Sequence, residues 1–105
     1  MKPDAFRDFV LDQLREIGLL ECRAMFGGHG LYADGKFFGL IWQQQFYLQT
    51  SETTRKQYLL AGMSYFQPKP KQKLGAYYEV PADVVENSSE LTRWAREAIE
   101  VASVG

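Results

Sequence analysis

Leu31-Tyr32-Ala33-Asp34-Gly35-Lys36-Phe37-Phe38-Gly39-Leu40-Ile41-Trp42-Gln43-Gln44-Gln45-Phe46-Tyr47-Leu48-Gln49-Thr50 is the run whose reading decides the fold. Asp34-Gly35 is a strong two-residue hairpin turn, because glycine accepts positive φ at no steric cost. Lys36 to Trp42 is apolar on both faces and predicts a central strand. Gln43-Gln44-Gln45 makes a polar turn, and Phe46 to Thr50 follows as the next strand. Strands joined by such short turns must be antiparallel neighbours, since parallel pairs need long crossovers. A β-meander is therefore expected.

Upstream, Glu21 to Met25 alternates polar with apolar and reads as a short strand, interrupted by Gly27-Gly28-His29-Gly30 before Leu31 resumes. Before it, Phe6, Phe9, Val10, Leu14 and Ile17 recur at helical spacing. Asp4 is expected as the cap and Gly18 as a left-handed stop. Downstream, Ser51 predicts the cap of a short helix over Glu52 to Ala61, with Tyr58 and Leu59 inward and Gly62 as its end. Pro68-Lys69-Pro70-Lys71-Gln72-Lys73 lacks two donors and carries three like charges, so an exposed loop is expected there. Ala76 to Val80 reads as a further strand. Ser88 or Ser89 is expected to cap a last helix whose apolar stripe is Leu91, Trp94, Ala95, Ala98, Ile99 and Ala102, with Arg93–Glu97 and Arg96–Glu100 as outward pairs. An antiparallel sheet with helices on one face satisfies this order, a two-layer α+β domain. Burial of Phe6, Phe9, Trp42 and Trp94 is expected to contribute about 1.5–3 kcal/mol or more each.

With 105 residues, 46% hydrophobic and 24% charged, the chain fits one globular domain over 1–105. The 12 basic and 13 acidic residues leave a net charge of −1, which excludes a strongly basic nucleic-acid binder of the histone kind. One cysteine (Cys22) and one histidine (His29) exclude a disulfide framework and any multi-cysteine or His-rich metal site. The N-terminus has no signal-peptide core and no apolar stretch approaches the ~20 residues of a membrane span, so a cytoplasmic protein with no membrane contact is expected.

Arg23-Ala24-Met25-Phe26-Gly27-Gly28-His29-Gly30-Leu31-Tyr32 resembles the signature Arg-x-Met-Phe-Gly-Gly-x-Gly-Leu-Tyr of the TfoX/Sxy N-terminal domain. Phe38-Gly39-Leu40, Tyr47-Leu48, Ala61-Gly62-Met63-Ser64-Tyr65-Phe66, Tyr77-Tyr78-Glu79-Val80-Pro81 and Trp94-Ala95-Arg96 follow in the family's order. The resemblance runs from about Leu14 to Ala102. It implies a two-layer fold related to secretion-chaperone-like folds and a regulator of natural competence acting with the transcription machinery. It supplies no catalytic residues and no cofactor. Full-length members carry a second, helical C-terminal domain, for which the sequence through Gly105 has no counterpart. The signature residues Arg23, Met25, Phe26, Gly27, Gly28, Gly30, Leu31 and Tyr32 are expected to be structural.

Gly27 to Gly30 could form an anion-binding nest, but no Lys-Ser/Thr follows as in a phosphate loop and no helix opens as in a dinucleotide fingerprint. Its turn chemistry reads as a glycine hairpin or bulge. His29 lacks ligand-spaced partners and reads as a solvent-facing loop residue, and Cys22 as a small buried apolar one. Arg23 fits a phosphate, a partner's carboxylate, or an ion pair with Glu21 or Glu79. The one basic concentration is Arg55, Lys56, Lys69, Lys71 and Lys73, flanked by Tyr65, Phe66, Tyr77 and Tyr78. Basic groups beside aromatics can hold single-stranded nucleic acid, whereas a solvated loop beside core aromatics needs no ligand. The expected function is a non-enzymatic protein-interaction module regulating transcription, with a homodimer as one form of partnership. A nucleic-acid binder using the Lys69 to Lys73 loop and a small enzyme of unknown reaction are the alternatives.

Overall fold

The computed structural model describes residues 4–25, 27–69 and 71–104, with 72 and 73 as backbone alone. Helix α1 (Ala5–Gln13) leads into strands β1 (Leu20–Met25), β2 (Gly28–Ala33), β3 (Lys36–Trp42) and β4 (Gln45–Gln49). Helix α2 (Arg55–Leu60), strands β5 (Tyr65–Lys69) and β6 (Gln72–Glu79), and helices α3 (Ala82–Val85) and α4 (Ser88–Val104) complete the chain. All six strands form one antiparallel sheet in the order β1-β2-β3-β4-β6-β5. The first four are the expected meander. The final pair reverses order because α2 carries the chain past the place beside β4, which β6 then fills. Thr50 fixes that junction, its backbone N–H and its hydroxyl both donating to the Ala76 carbonyl at 2.7 Å.

The two sheet faces are apolar for different reasons. Register steps from Leu31↔Gly39 to Tyr32↔Phe37, so Phe38 is the extra residue of a bulge. The bulge turns Phe38 to the helix face and leaves Phe37 on the other, which explains the unbroken apolar run. Helices cover the face built on Leu31, Phe38, Ile41, Phe46 and Leu48, where Val10 of α1, Leu14 just after it, and Leu91, Trp94, Ala95 and Ala98 of α4 are buried. The opposite face carries a second cluster made only of strand residues: Leu40, Tyr47, Phe66 and Tyr77. Phe66 meets the Trp42 and Tyr47 rings edge-on at 5.3 and 4.9 Å.

Among the described residues, the stretch from Pro68 to Lys73 expected as a loop is mostly strand, with Lys71 in a turn; Pro70 lies outside them. Pro68 and Lys69 end β5 and Gln72 begins β6. Proline excludes an inner strand, but β5 lies at the sheet edge, where a missing donor costs no ladder bond. Other corrections are local. Asp4 makes no side-chain cap bond to α1. The left-handed residue after α1 is Leu19 (φ 60), not Gly18. Asn87, not Ser88 or Ser89, caps α4, its side-chain oxygen accepting from the Glu90 N–H at 3.0 Å. The helix expected over Glu52 to Ala61 is shorter, Arg55–Leu60, with Thr54 rather than Ser51 at its N-cap; the Ser51 hydroxyl instead accepts from the Thr54 N–H at 3.1 Å in the turn before it. Gly62 (φ 78) ends that helix: Met63 N–H reaches the Tyr58 carbonyl and Gly62 N–H the Leu59 carbonyl, each at 3.0 Å. Tyr58 is buried as expected, whereas Leu59 points outward. Arg93 pairs with both Glu90 (3.0 Å) and Glu97 (3.1 Å), while Arg96 and Glu100 form no ion pair among the described residues.

Candidate functional site

Phe9 is the large side chain that departs most from its expected burial in α1. It remains 40% exposed, on the margin of a stripe centred on Val10 and Leu14. With Phe6 it forms one wall of a groove of about 350 Å³. The other walls are Phe46, Val80, Ala82 and Val85, and the rim carries Gln44, Gln45, Glu79 and Glu86. The volume lies at the small end of the ~300–1,000 Å³ seen for ligand pockets.

Hydrogen bonds hold these walls in place. Buried Gln13 at the end of α1 donates to the Val85 carbonyl of α3 at 3.0 Å. Its own carbonyl accepts from the Ser88 hydroxyl at 2.8 Å, which joins α1, α3 and α4 at one point. On the sheet side, Gln45 Nε2 donates to Glu79 Oε2 at 3.2 Å, and the Tyr47 hydroxyl donates to Gln45 Oε1 at 2.8 Å. Burial pushes the Tyr47 phenol up to about 12, with the Glu79 charge adding to the shift, so it stays a donor at neutral pH. The groove can hold apolar side chains between aromatic walls and meet polar or cationic groups at its rim.

The signature run does structural work. A Cβ on Gly28 would overlap the Ile41 carbonyl, and one on Gly30 would sit 2.8 Å from the Met25 sulfur. Both glycines lie within β2 and do not interrupt it. Leu31 is fully buried, and Gly27 (φ 77) lies in the turn between β1 and β2. Arg23 pairs with Glu21 at 2.9 Å and lies 4.6 Å over the Tyr32 ring, beginning a row that continues to Phe37 and Tyr77. Phe26 falls outside the described residues.

His29 is not a loop residue. It sits in β2 against α1, 21% exposed, accepting from Arg7 Nη1 at 3.4 Å with Asp4 Oδ1 4.0 Å away. Cys22 is half-buried against the main core, and burial raises its thiol pKa, the opposite of an activated nucleophile. Among the described residues, no three of His, Cys, Asp and Glu gather as a metal-holding set. No helix among them is long and apolar enough to cross a membrane.

The basic residues divide between two elements. Arg55 in α2 is committed to the scaffold, donating from Nε to Thr50 Oγ1 at 3.0 Å and lying 5.5 Å from the Tyr78 ring. Lys56 is exposed on the same helix, and Lys69 and Lys71 are exposed where β5 turns into β6. The Lys73 side chain falls outside the described residues. Sequence reasoning read Gln44 and Gln45 only as turn residues and Glu79 only as an alternative ion-pair partner for Arg23, which pairs with Glu21 instead; it gave Glu86 no role and placed Phe6 and Phe9 in the core. The one available signal was the position of Phe9 at the edge of its helical stripe.

No curated protein matches the chain. The family model of the TfoX N-terminal domain matches residues 12–102, nearly the whole length of the chain, a span that carries the signature, the meander and most of α4. The chain belongs to the TfoX N-terminal domain family.

Proposed function

We propose that this domain is a non-enzymatic protein-interaction module that helps regulate transcription, competence genes in particular, by binding a protein partner in the groove between α1 and α3. The observation that carries the reading is the partly exposed Phe9 beside Phe6 on a wall held by Gln13. Aromatic side chains held in place at a surface supply contact area at low entropic cost, as interface anchors do. Membership of the family agrees with a regulatory role, and a cytoplasmic site of action fits a transcriptional one. The test is a photo-crosslinking residue placed at position 9 and, as a control, at exposed position 96, in cells of the native host. A discrete adduct from position 9 that is absent from position 96 is expected. Indistinguishable adduct patterns would end this reading. If the position 9 adduct is a second copy of the chain, the partnership is a homodimer.

The exposed Lys69 and Lys71 at the β5–β6 turn favour nucleic-acid binding as the second reading. It requires that replacing Lys69, Lys71 and Lys73 by Ala weaken the binding of a labelled single-stranded oligonucleotide, and that added salt do the same. Anisotropy unchanged by the triple substitution would remove it.

A further inference from the structure

We infer that the α1–α3 groove selects a basic amphipathic segment of its partner: aliphatic side chains seat against Phe6 and Phe9, and an adjacent Lys or Arg meets Glu79 and Glu86. This rests on the protein-interaction reading of the same groove and adds the partner's chemistry to it. Two observations supply the sign of the charge. The lining residues include two carboxylates and, among the described residues, no lysine, arginine or histidine. Glu86, which follows α3, forms no ion pair among the described residues, and Asp83 in the first turn of that helix adds a further negative charge to the segment.

Docking any apolar segment over Phe9 draws water away from these carboxylates. Desolvating a charge without a counter-charge is costly, so a neutral segment loses part of what its apolar contact gains. An acidic segment is repelled outright. A cation one helical turn from the buried aliphatic group offsets the loss and fixes register. Glu79 is well placed for this, because the Gln45 amide already holds one carboxylate oxygen in a defined orientation.

The probe is a helix-forming peptide of about fifteen residues with two leucines one turn apart flanked by lysines, compared with a twin in which glutamates replace the lysines. The full chain is titrated with each, following the side-chain amide resonances of Gln44 and Gln45. The lysine peptide is expected to shift these resonances and to bind at least about ten-fold more tightly than its twin. That preference should shrink as salt rises and vanish in the Glu79→Gln/Glu86→Gln double variant, which keeps hydrogen-bonding capacity. Glu86→Gln alone, at an exposed position, should halve the preference or more, and serves if the double variant folds poorly. Equal binding of the two peptides, or a preference for the glutamate twin, overturns the charge selection but leaves the groove as a contact surface. Failure of both to shift the groove resonances overturns this inference, while the crosslink at position 9 judges the interaction reading separately.

Discussion

Gly28 leaves no room for a methyl group, because the Ile41 carbonyl of the neighbouring strand occupies the place where a Cβ would stand. Gly28→Ala should destabilise the fold by about 1–3 kcal/mol, read as a lower urea midpoint at unchanged slope. The run Gly27-Gly28-His29-Gly30 announced a glycine requirement, but a sequence does not say which backbone comes close. Glycines that serve a tight turn and glycines that serve a close approach look alike until the register is known. Phenylalanines divide in the same way. Phe38 is fully buried and Phe9 is not. Phe38→Ala should cost about 3–5 kcal/mol, whereas Phe9→Ser should cost about 1 kcal/mol. Paired denaturation curves measure the difference, and a small cost at Phe9 makes that substitution a usable probe of binding.

Two turns of the meander solve one problem with different residues. Asp34 and Gly35 take φ of 52 and 79, and Gln43 and Gln44 take 49 and 61, both with the left-handed pattern that matches strand twist. Glutamine carries a Cβ into that region at both positions of its turn. Replacing Gln43-Gln44 by Asn-Gly should therefore stabilise the domain by about 1 kcal/mol, seen as a raised Tm. Gln44 also lines the groove rim, so this variant isolates the turn's cost only when read by stability. Asp34-Gly35 was legible because its residues match the turn's demand. The β5–β6 hairpin was not, because the two prolines rule out an inner strand without distinguishing a loop from an edge. Helix α3 was likewise invisible, being too short for a periodic signal. The groove lay beyond sequence reasoning for a related reason: its walls come from α1, β4, α3 and the link between β6 and α3, and no local pattern records their meeting.

Across the whole molecule, three tyrosine hydroxyls, Tyr47 and Tyr77 in the sheet and Tyr58 in α2, tie the fold to protonation. Burial pushes Tyr47 and Tyr77 up to about 12 from 10.0, and pushes Tyr58, packed against Trp94 and Tyr78, up further. The folded state thus holds these protons more tightly than the unfolded chain. Their contribution to stability is complete below pH 10.0 and falls away as pH rises toward about 12. Urea midpoints taken at intervals from pH 9 upward should decline across that window and be flat with respect to these groups below it. The overall architecture was the most legible level of all, since alternation, turn chemistry and helical stripes agree on an antiparallel sheet backed by helices. The sheet does not close on itself. Its margins are β1, guarded by the outward charges of Glu21 and Arg23, and β5, which ends in Pro68 and Lys69. A proline with no hydrogen to offer and a cation that resists its own image deny a neighbouring copy a template for strand-upon-strand growth. The stretch least suited to an inner strand thus stands guard at the open edge of the sheet.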